Sequence, residues 1–257
     1  MTKRNVIIGT SIGAVIVVLG MAWWLGFFSS SPEEATIEAA VEAVSGGEAD
    51  DAAAEDVASD EPSPDAAAAD VATTAPEVDE GITGEWTVQA NADATFVGYR
   101  INEVLNTIGD FEVVGRTSDV SGTLVADGTT ITEVTVVAQM GTLTTDNSAR
   151  DGAMRSQALE TEEFPEATFT LTSPIELGTL PAESVTIEAT ATGDLTIHGV
   201  TQSVDFPLEA QRVGDVIVVV GQLPMLLADY DISAPTAPIV ASVEDNALLE
   251  LSVVLAK

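Results

Sequence analysis

From Thr186 to His198 the chain reads TIEATATGDLTIH, and small or apolar residues alternate with polar ones almost without fault. Ile187, Ala189, Ala191, Gly193, Leu195 and Ile197 fall on one side. Thr186, Glu188, Thr190, Thr192, Asp194, Thr196 and His198 fall on the other. A period of two puts successive side chains on opposite faces of a pleated strand, one face against a core. VDFPLEAQ repeats the pattern, with Val204, Phe206, Leu208 and Ala210 together. EVTVVAQM, ATFTL, DVIVVVGQL and ALLELSVVL are strand-like in their β-branched content. Turn signals separate the runs at Asp127-Gly128, Leu177-Gly178, His198-Gly199, Val213-Gly214-Asp215 and Asp245-Asn246. Eight or so consecutive strands in hairpin order predict an all-β domain, a closed antiparallel barrel or a sandwich. DVIVVVGQL is apolar on both faces, which suits a wall with a cavity on one side and packing on the other.

One segment breaks the alternation. DNSARDGAMRSQALE, Asp146 to Glu160, predicts a short helix between two strands. Asp146 or Asn147 can cap it, Met154 and Ala158 give it an apolar face, and Gly152 weakens it.

The β pattern starts near Glu85, and two unlike regions precede it. Val6 to Phe28 is a 23-residue run without charge, behind Lys3 and Arg4. As a helix it spans about 34 Å, enough for a hydrocarbon core of about 30 Å. Trp23 and Trp24 sit where indoles favour the interface, and no Lys or Arg follows until Arg100. The expectation is a single-pass cell-membrane anchor with the N-terminus cytoplasmic and the rest extracytoplasmic. The alternative is a cleaved signal peptide, whose apolar region is usually about 7–15 residues. Residues 29–84 are rich in Ala, Pro and acids, with 16 Asp and Glu from Glu33 to Glu80 and no base. That composition predicts a disordered linker, extended by self-repulsion, holding a domain off the membrane. Its carboxylates lack the spacing of a calcium loop. The divisions are thus 1–28, 29–84 and 85–257.

Composition removes many function classes. There are 42 Asp and Glu against 8 Lys and Arg, a net charge of -34, which argues against nucleic-acid partners. With no Cys and one His, thiol catalysis, disulfides and multi-histidine metal centres are excluded. The sequence holds no G-x-S-x-G, H-E-x-x-H, G-x-G-x-x-G or Walker loop, so no enzyme is predicted.

Five segments, in order, carry a resemblance. They are ATFVGYRINE (94–103), VVGRTSDVSGTL (113–124), MGTLTTDNSARDGAMRSQALETEEFPEATFTLTS (140–173), GDLTIHGVTQSVDFPLEA (193–210) and MLLADYDISAP (225–235). Together they resemble the YceI-like, polyisoprenoid- or lipid-binding family across most of 85–257. The resemblance implies a lipocalin-like eight-stranded antiparallel β-barrel with one short helix. It also implies a long apolar cavity holding a polyisoprenoid, quinone or fatty-acyl lipid, and no resident cofactor. Composition and spacing do not choose that ligand. Two positions depart from the family pattern: Ala153 stands where a His usually follows Arg-Asp, and Leu159-Glu160-Thr161 stands where Phe-Phe-Asp is common.

The candidate ligand-binding residues are Arg150, Asp151, Met154, Arg155, Phe164, Phe169, His198, Phe206 and Tyr230. Arg150 and Arg155, two of the five arginines of residues 85–257, read either as head-group contacts on a lid helix or as ion pairs, Arg150 with Asp151 or Glu162. His198 reads as a head-group contact or as a strand-end residue bonded to a turn. The Phe and Met residues read as channel lining or plain core, and the Tyr99 and Tyr230 hydroxyls as reaching a ligand carbonyl or the backbone. The function expected is a membrane-tethered lipid carrier, store or sequestering protein. A stalked β-domain that binds another protein through a filled core is the alternative, and an isoprenoid-modifying enzyme the third reading.

Overall fold

Residues 31–46, 82–90, 94–107, 109–180 and 184–257 are described by a computed structural model. Contacts divide the chain into Met1–Glu33 and Glu34–Lys257. All that follows concerns the second unit. The anchor reading falls outside the described residues. Among the described residues no helix is long and apolar enough to cross a membrane.

Eleven strands occur among the described residues. Eight form a closed antiparallel ring: β1 (Gly84–Gln89), β4 (Val120–Asp127), β5 (Thr130–Gln139), β6 (Glu166–Leu171), β8 (Ile187–Ile197), β9 (Val200–Val213), β10 (Val216–Leu226) and β11 (Val240–Ala256). Pairing of β1 with both β4 and β11 closes the ring. The long β11 also pairs with β2 (Phe96–Leu105), which carries β3 (Gly109–Thr117) beside it. The two-residue β7 (Ile175–Glu176) pairs with β5. The barrel therefore has the eight strands expected, with a β2–β3 hairpin and β7 added.

The alternation of β8 is realised: Ala191, Leu195 and Ile197 are buried, while Glu188 and Asp194 are exposed. His198 and Gly199 both have positive φ, 52° and 72°, as a two-residue hairpin turn requires. Asp245-Asn246 differs from expectation. It is a register shift inside β11 between Val243 and Ala247, a bulge and not a turn.

The helix predicted over 146–160 is α2 (Ser148–Ala153), continued by a π-helical turn, Met154–Ala158. For convenience α1 denotes Ile37–Ser45. Asn147 caps α2, accepting from the amides of Ala149 and Arg150.

Part of the segment read as a disordered linker is ordered. Thr36 caps α1 by accepting from the Ala39 amide, and Ser45-Gly46 ends it. Nine residues are too few for a stable isolated helix. Packing supplies the rest: Ile37 and Ala40 are buried against Val218 and Val220, with Val41, Val44 and Phe96 beside them. This is the outer face of β10, which explains why DVIVVVGQL is apolar on both sides: Ile217 and Val219 face the barrel core. Charge and glycine content misled the reading of residues 34–46, because the helix's partner strand lies far along the chain. Ile37→Ala is expected to cost about 2 kcal/mol, read by urea unfolding, with ligand affinity unchanged because the contact is outside the barrel. A shift below 0.5 kcal/mol, about the noise of surface substitutions, would mean the docking adds nothing.

Beneath this cover lies a buried ion network. Glu250 is 1% exposed. It accepts from Arg100 Nε at 2.7 Å, Arg116 Nη2 at 3.0 Å and the Ala35 amide at 3.0 Å. Arg100 also reaches Glu112 at 2.9 Å, and the Arg116 guanidinium stacks 4.0 Å from the Phe96 ring centre. No sequence motif marks this cluster.

Candidate functional site: an apolar cavity with a polar mouth

Inside the ring the inward side chains do not all meet. Val136, Phe169 and Leu251 stay half-buried although they point inward with the core. They border a cavity of about 410 Å³. That is within the roughly 300–1,000 Å³ usual for ligand pockets. Ala138, Ala191 and Ala210 contribute small wall residues that leave room. Gly193 is needed where Phe169 sweeps over β8, since a Cβ there would collide with the Phe169 ring and the Thr170 carbonyl.

Polar groups gather where α2 meets the wall. Glu103, Asn147 and Arg150 line this mouth. Arg150 donates to Glu103 at 2.8 Å and pairs with Asp146, and its guanidinium lies 5.6 Å from the Phe111 ring centre. The ion pairs foreseen with Asp151 or Glu162 are not the ones formed. Gln211 and Arg212 line the wall toward the opposite end of β9. Among the described residues there is no cluster of metal-ligating side chains.

Of the nine predicted site residues, Arg150, Met154, Phe169 and Phe206 reach the cavity wall. The other five are held outside it by contacts of their own. Asp151 accepts from the amide and hydroxyl of Thr145, at 2.8 and 2.7 Å, and ties down the loop before α2. Arg155 donates to the Leu143 carbonyl at 3.4 Å. Phe164 packs edge-on to His198, with ring centres 4.7 Å apart. His198 contacts the Tyr230 carbonyl at 3.2 Å and Glu160 at 3.0 Å. Tyr230 is 2% exposed, and burial, then Asp229, pushes its phenol pKa up.

Tyr99 lines the cavity and was not among the nine. Strand parity was the available signal, since Val97, Tyr99 and Ile101 share a face of β2. Its hydroxyl lies 2.6 Å from Met154 Sδ. Burial pushes its pKa up, Arg150 opposes that, and Asp151, Glu103 and Asp146 add to the rise. Ala153 also lines the cavity, offering a methyl where the resemblance leads one to expect an imidazole.

The sequence of this barrel is also similar to known proteins. The model of the YceI-like domain matches residues 86–255. The chain belongs to the YceI-like family. Protein YceI of Salmonella arizonae and of Salmonella enteritidis PT4 are each 30% identical to it over 136 residues, 52% of this chain. The chain spans 64% of the length of these curated relatives. A polyisoprenoid binding domain from Saccharophagus degradans, implicated in plant cell wall breakdown, matches in structure with a TM-score of 0.52 at 19% identity. The match covers 66% of this chain and 97% of that one, and it shows a shared fold. The YceI-like barrel here is thus a wall of strands around an apolar interior, with α2 contributing Ala149, Arg150 and Ala153 to its lining.

Proposed function

We propose that this protein holds a long apolar chain, a polyisoprenoid or similar lipid, in its barrel and acts as a carrier, store or sequestering factor, not as a catalyst. The observation that carries the reading is the apolar cavity, whose inward side chains remain half-buried around about 410 Å³. A filled-core interaction module has no use for that space. The polyisoprenoid binding of the Saccharophagus degradans domain supports the choice of ligand class. Burial of apolar chain supplies about 0.8 kcal/mol per CH₂, within an affinity ceiling of about 20 kcal/mol. Affinity for a series of isoprenoids should therefore rise with each added unit until the cavity is full, then level off, with negative heat-capacity change. Absence of binding, or affinity independent of length, would overturn the reading.

We further propose that Val6–Phe28 anchors the chain in the cell membrane with the barrel outside the cytoplasm. The run's length, the preceding Lys3 and Arg4 and the interfacial Trp pair support this. Full-length protein should resist alkaline extraction from membranes, and its barrel should be cut by protease added to spheroplasts. Recovery in the soluble fraction would contradict the anchor.

A further inference from the structure

We infer that the barrel wall has a lateral opening between β7 and β8, plugged by the side chains of Ile175 and Leu177, through which the hydrocarbon end of a chain too long for the cavity passes out. This rests on the lipid-holding function proposed above and adds a second site to it. Three observations carry it.

The first is a gap in the ladder. β6 pairs with β8 over Thr168–Leu171 and Gly193–Thr196, and one further bond joins the Thr172 amide to the Thr192 carbonyl. The chain then leaves β8. It crosses at Ser173-Pro174 to β7, whose Ile175 and Glu176 pair with Ile131 and Thr130 of β5. From Ile187 to Ala191, β8 is paired with β9 alone. Backbone groups alternate in direction along an antiparallel strand. Glu188 and Thr190 therefore share the direction of Thr192 and turn their backbone toward β7, where no ladder meets them.

The second is what fills the gap. A cleft runs along the outside of this seam, with Pro174, Glu176 and Thr179 on one side and Glu188 and Thr190 on the other. Ile175, Leu177, Ile187 and Ala189 border both that cleft and the cavity within. One layer of side chains thus separates the two. Ile175 is buried with Ala191 and Phe206, whereas Leu177, Ile187 and Ala189 are half-buried. All four are apolar, so the opening suits hydrocarbon, and a polar group passing it would lose its water without a partner.

The third is how the plug is held and where. It hangs from β5: the Thr130 hydroxyl donates to Glu176 at 2.8 Å, and the Leu177 amide donates to the Thr129 carbonyl at 3.0 Å. Rotation of the Ile175 and Leu177 side chains between staggered positions opens the seam without breaking a backbone hydrogen bond. Along β5 the seam lies at Thr130 and Ile131, while Gln139, at the other end, leads to the loop before α2. A chain whose polar end lies beside Glu103, Asn147 and Arg150 therefore brings its hydrocarbon end to the seam. A barrel with a closed floor would reject chains longer than its cavity; this opening lets affinity level off instead.

The test closes the seam from outside. The chain has no cysteine, so Glu176→Cys with Thr190→Cys introduces a unique pair, and both positions line the cleft and not the cavity. Full-length protein carrying the pair is joined across the seam with a short bis-maleimide after folding. The same protein with each thiol capped by N-ethylmaleimide is the control. The control should bind decaprenol at least as tightly as geranylgeraniol. Joining should weaken decaprenol by about tenfold or more, the loss of about two methylenes of burial, and leave geranylgeraniol unchanged. A second readout needs no variant: decaprenol with a diazirine at its hydrocarbon end should label Glu176, Thr179, Glu188 or Thr190 on irradiation. Joining that leaves both alcohols unchanged, or weakens both equally, would overturn the opening and leave the lipid-holding reading intact. Label confined to the α2 end would also overturn it. If neither alcohol binds the unaltered protein, both readings fall together.

Discussion

Leu251→Trp is expected to lower affinity for a long isoprenoid by about 100-fold while leaving a folded barrel. Leu251 sits on β11 facing the cavity and is half-buried, so part of its surface borders unfilled space. An indole placed there takes room that about three or four methylenes of a ligand would occupy. At about 0.8 kcal/mol per CH₂ that is close to 3 kcal/mol, or about two decades in Kd. Overpacking a filled core would instead cost about 1–3 kcal/mol of stability. The two effects separate cleanly. A melting temperature within a few degrees of the parent with lost lipid binding identifies a cavity; a large drop in melting temperature identifies a filled core.

Glu250→Gln is expected to destabilise the domain by about 3–5 kcal/mol, the usual consequence of removing one partner from a buried ion pair. For a domain of this size that lowers the melting temperature by roughly 10 °C. The carboxylate is fully enclosed and Arg100 is 5% exposed, so the guanidinium charge stays buried when Glu250 loses its own. Glu112 provides the contrast. It shares Arg100 but is 41% exposed, so Glu112→Gln should cost under about 1 kcal/mol. Equal effects from the two substitutions, measured by thermal and urea unfolding, would refute the view that burial under residue 35 makes Glu250 special.

How much of this was legible in the sequence depended on the range of the interactions. The inward face of β8 follows from a local period of two, and Ala191, Leu195 and Ile197 lie where that period puts them. The span of α2 and its turn, with Met154 and Ala158 buried, follows from the absence of alternation and the Asn147 cap. Contacts between distant segments were not legible. Arg150 finds Glu103 on another element, 47 residues away, where nearer carboxylates had looked sufficient. Ile37 carries apolar spacing with Ala40, Val41 and Val44, yet its value depends on Val218 and Val220, far along the chain. The clue that pointed across that distance was β10 itself, a strand with no polar face in need of an outer partner.

The candidate site divides the same way. Phe169 and Phe206 reach the wall because they sit at inward positions of their strands, whereas Phe164 and His198 lie near the hairpin turn and pack on each other. Tyr99 was legible by parity but not by chemistry, since nothing nearby in sequence announces that Met154 will be its neighbour.

Native mass spectrometry of the full-length protein, isolated from the cells that make it and followed by organic extraction, tests the central claim most directly. The account predicts a discrete added mass that extraction identifies as a polyisoprenoid or similar long-chain lipid. A bare mass that persists after incubation with total lipid extract would contradict it.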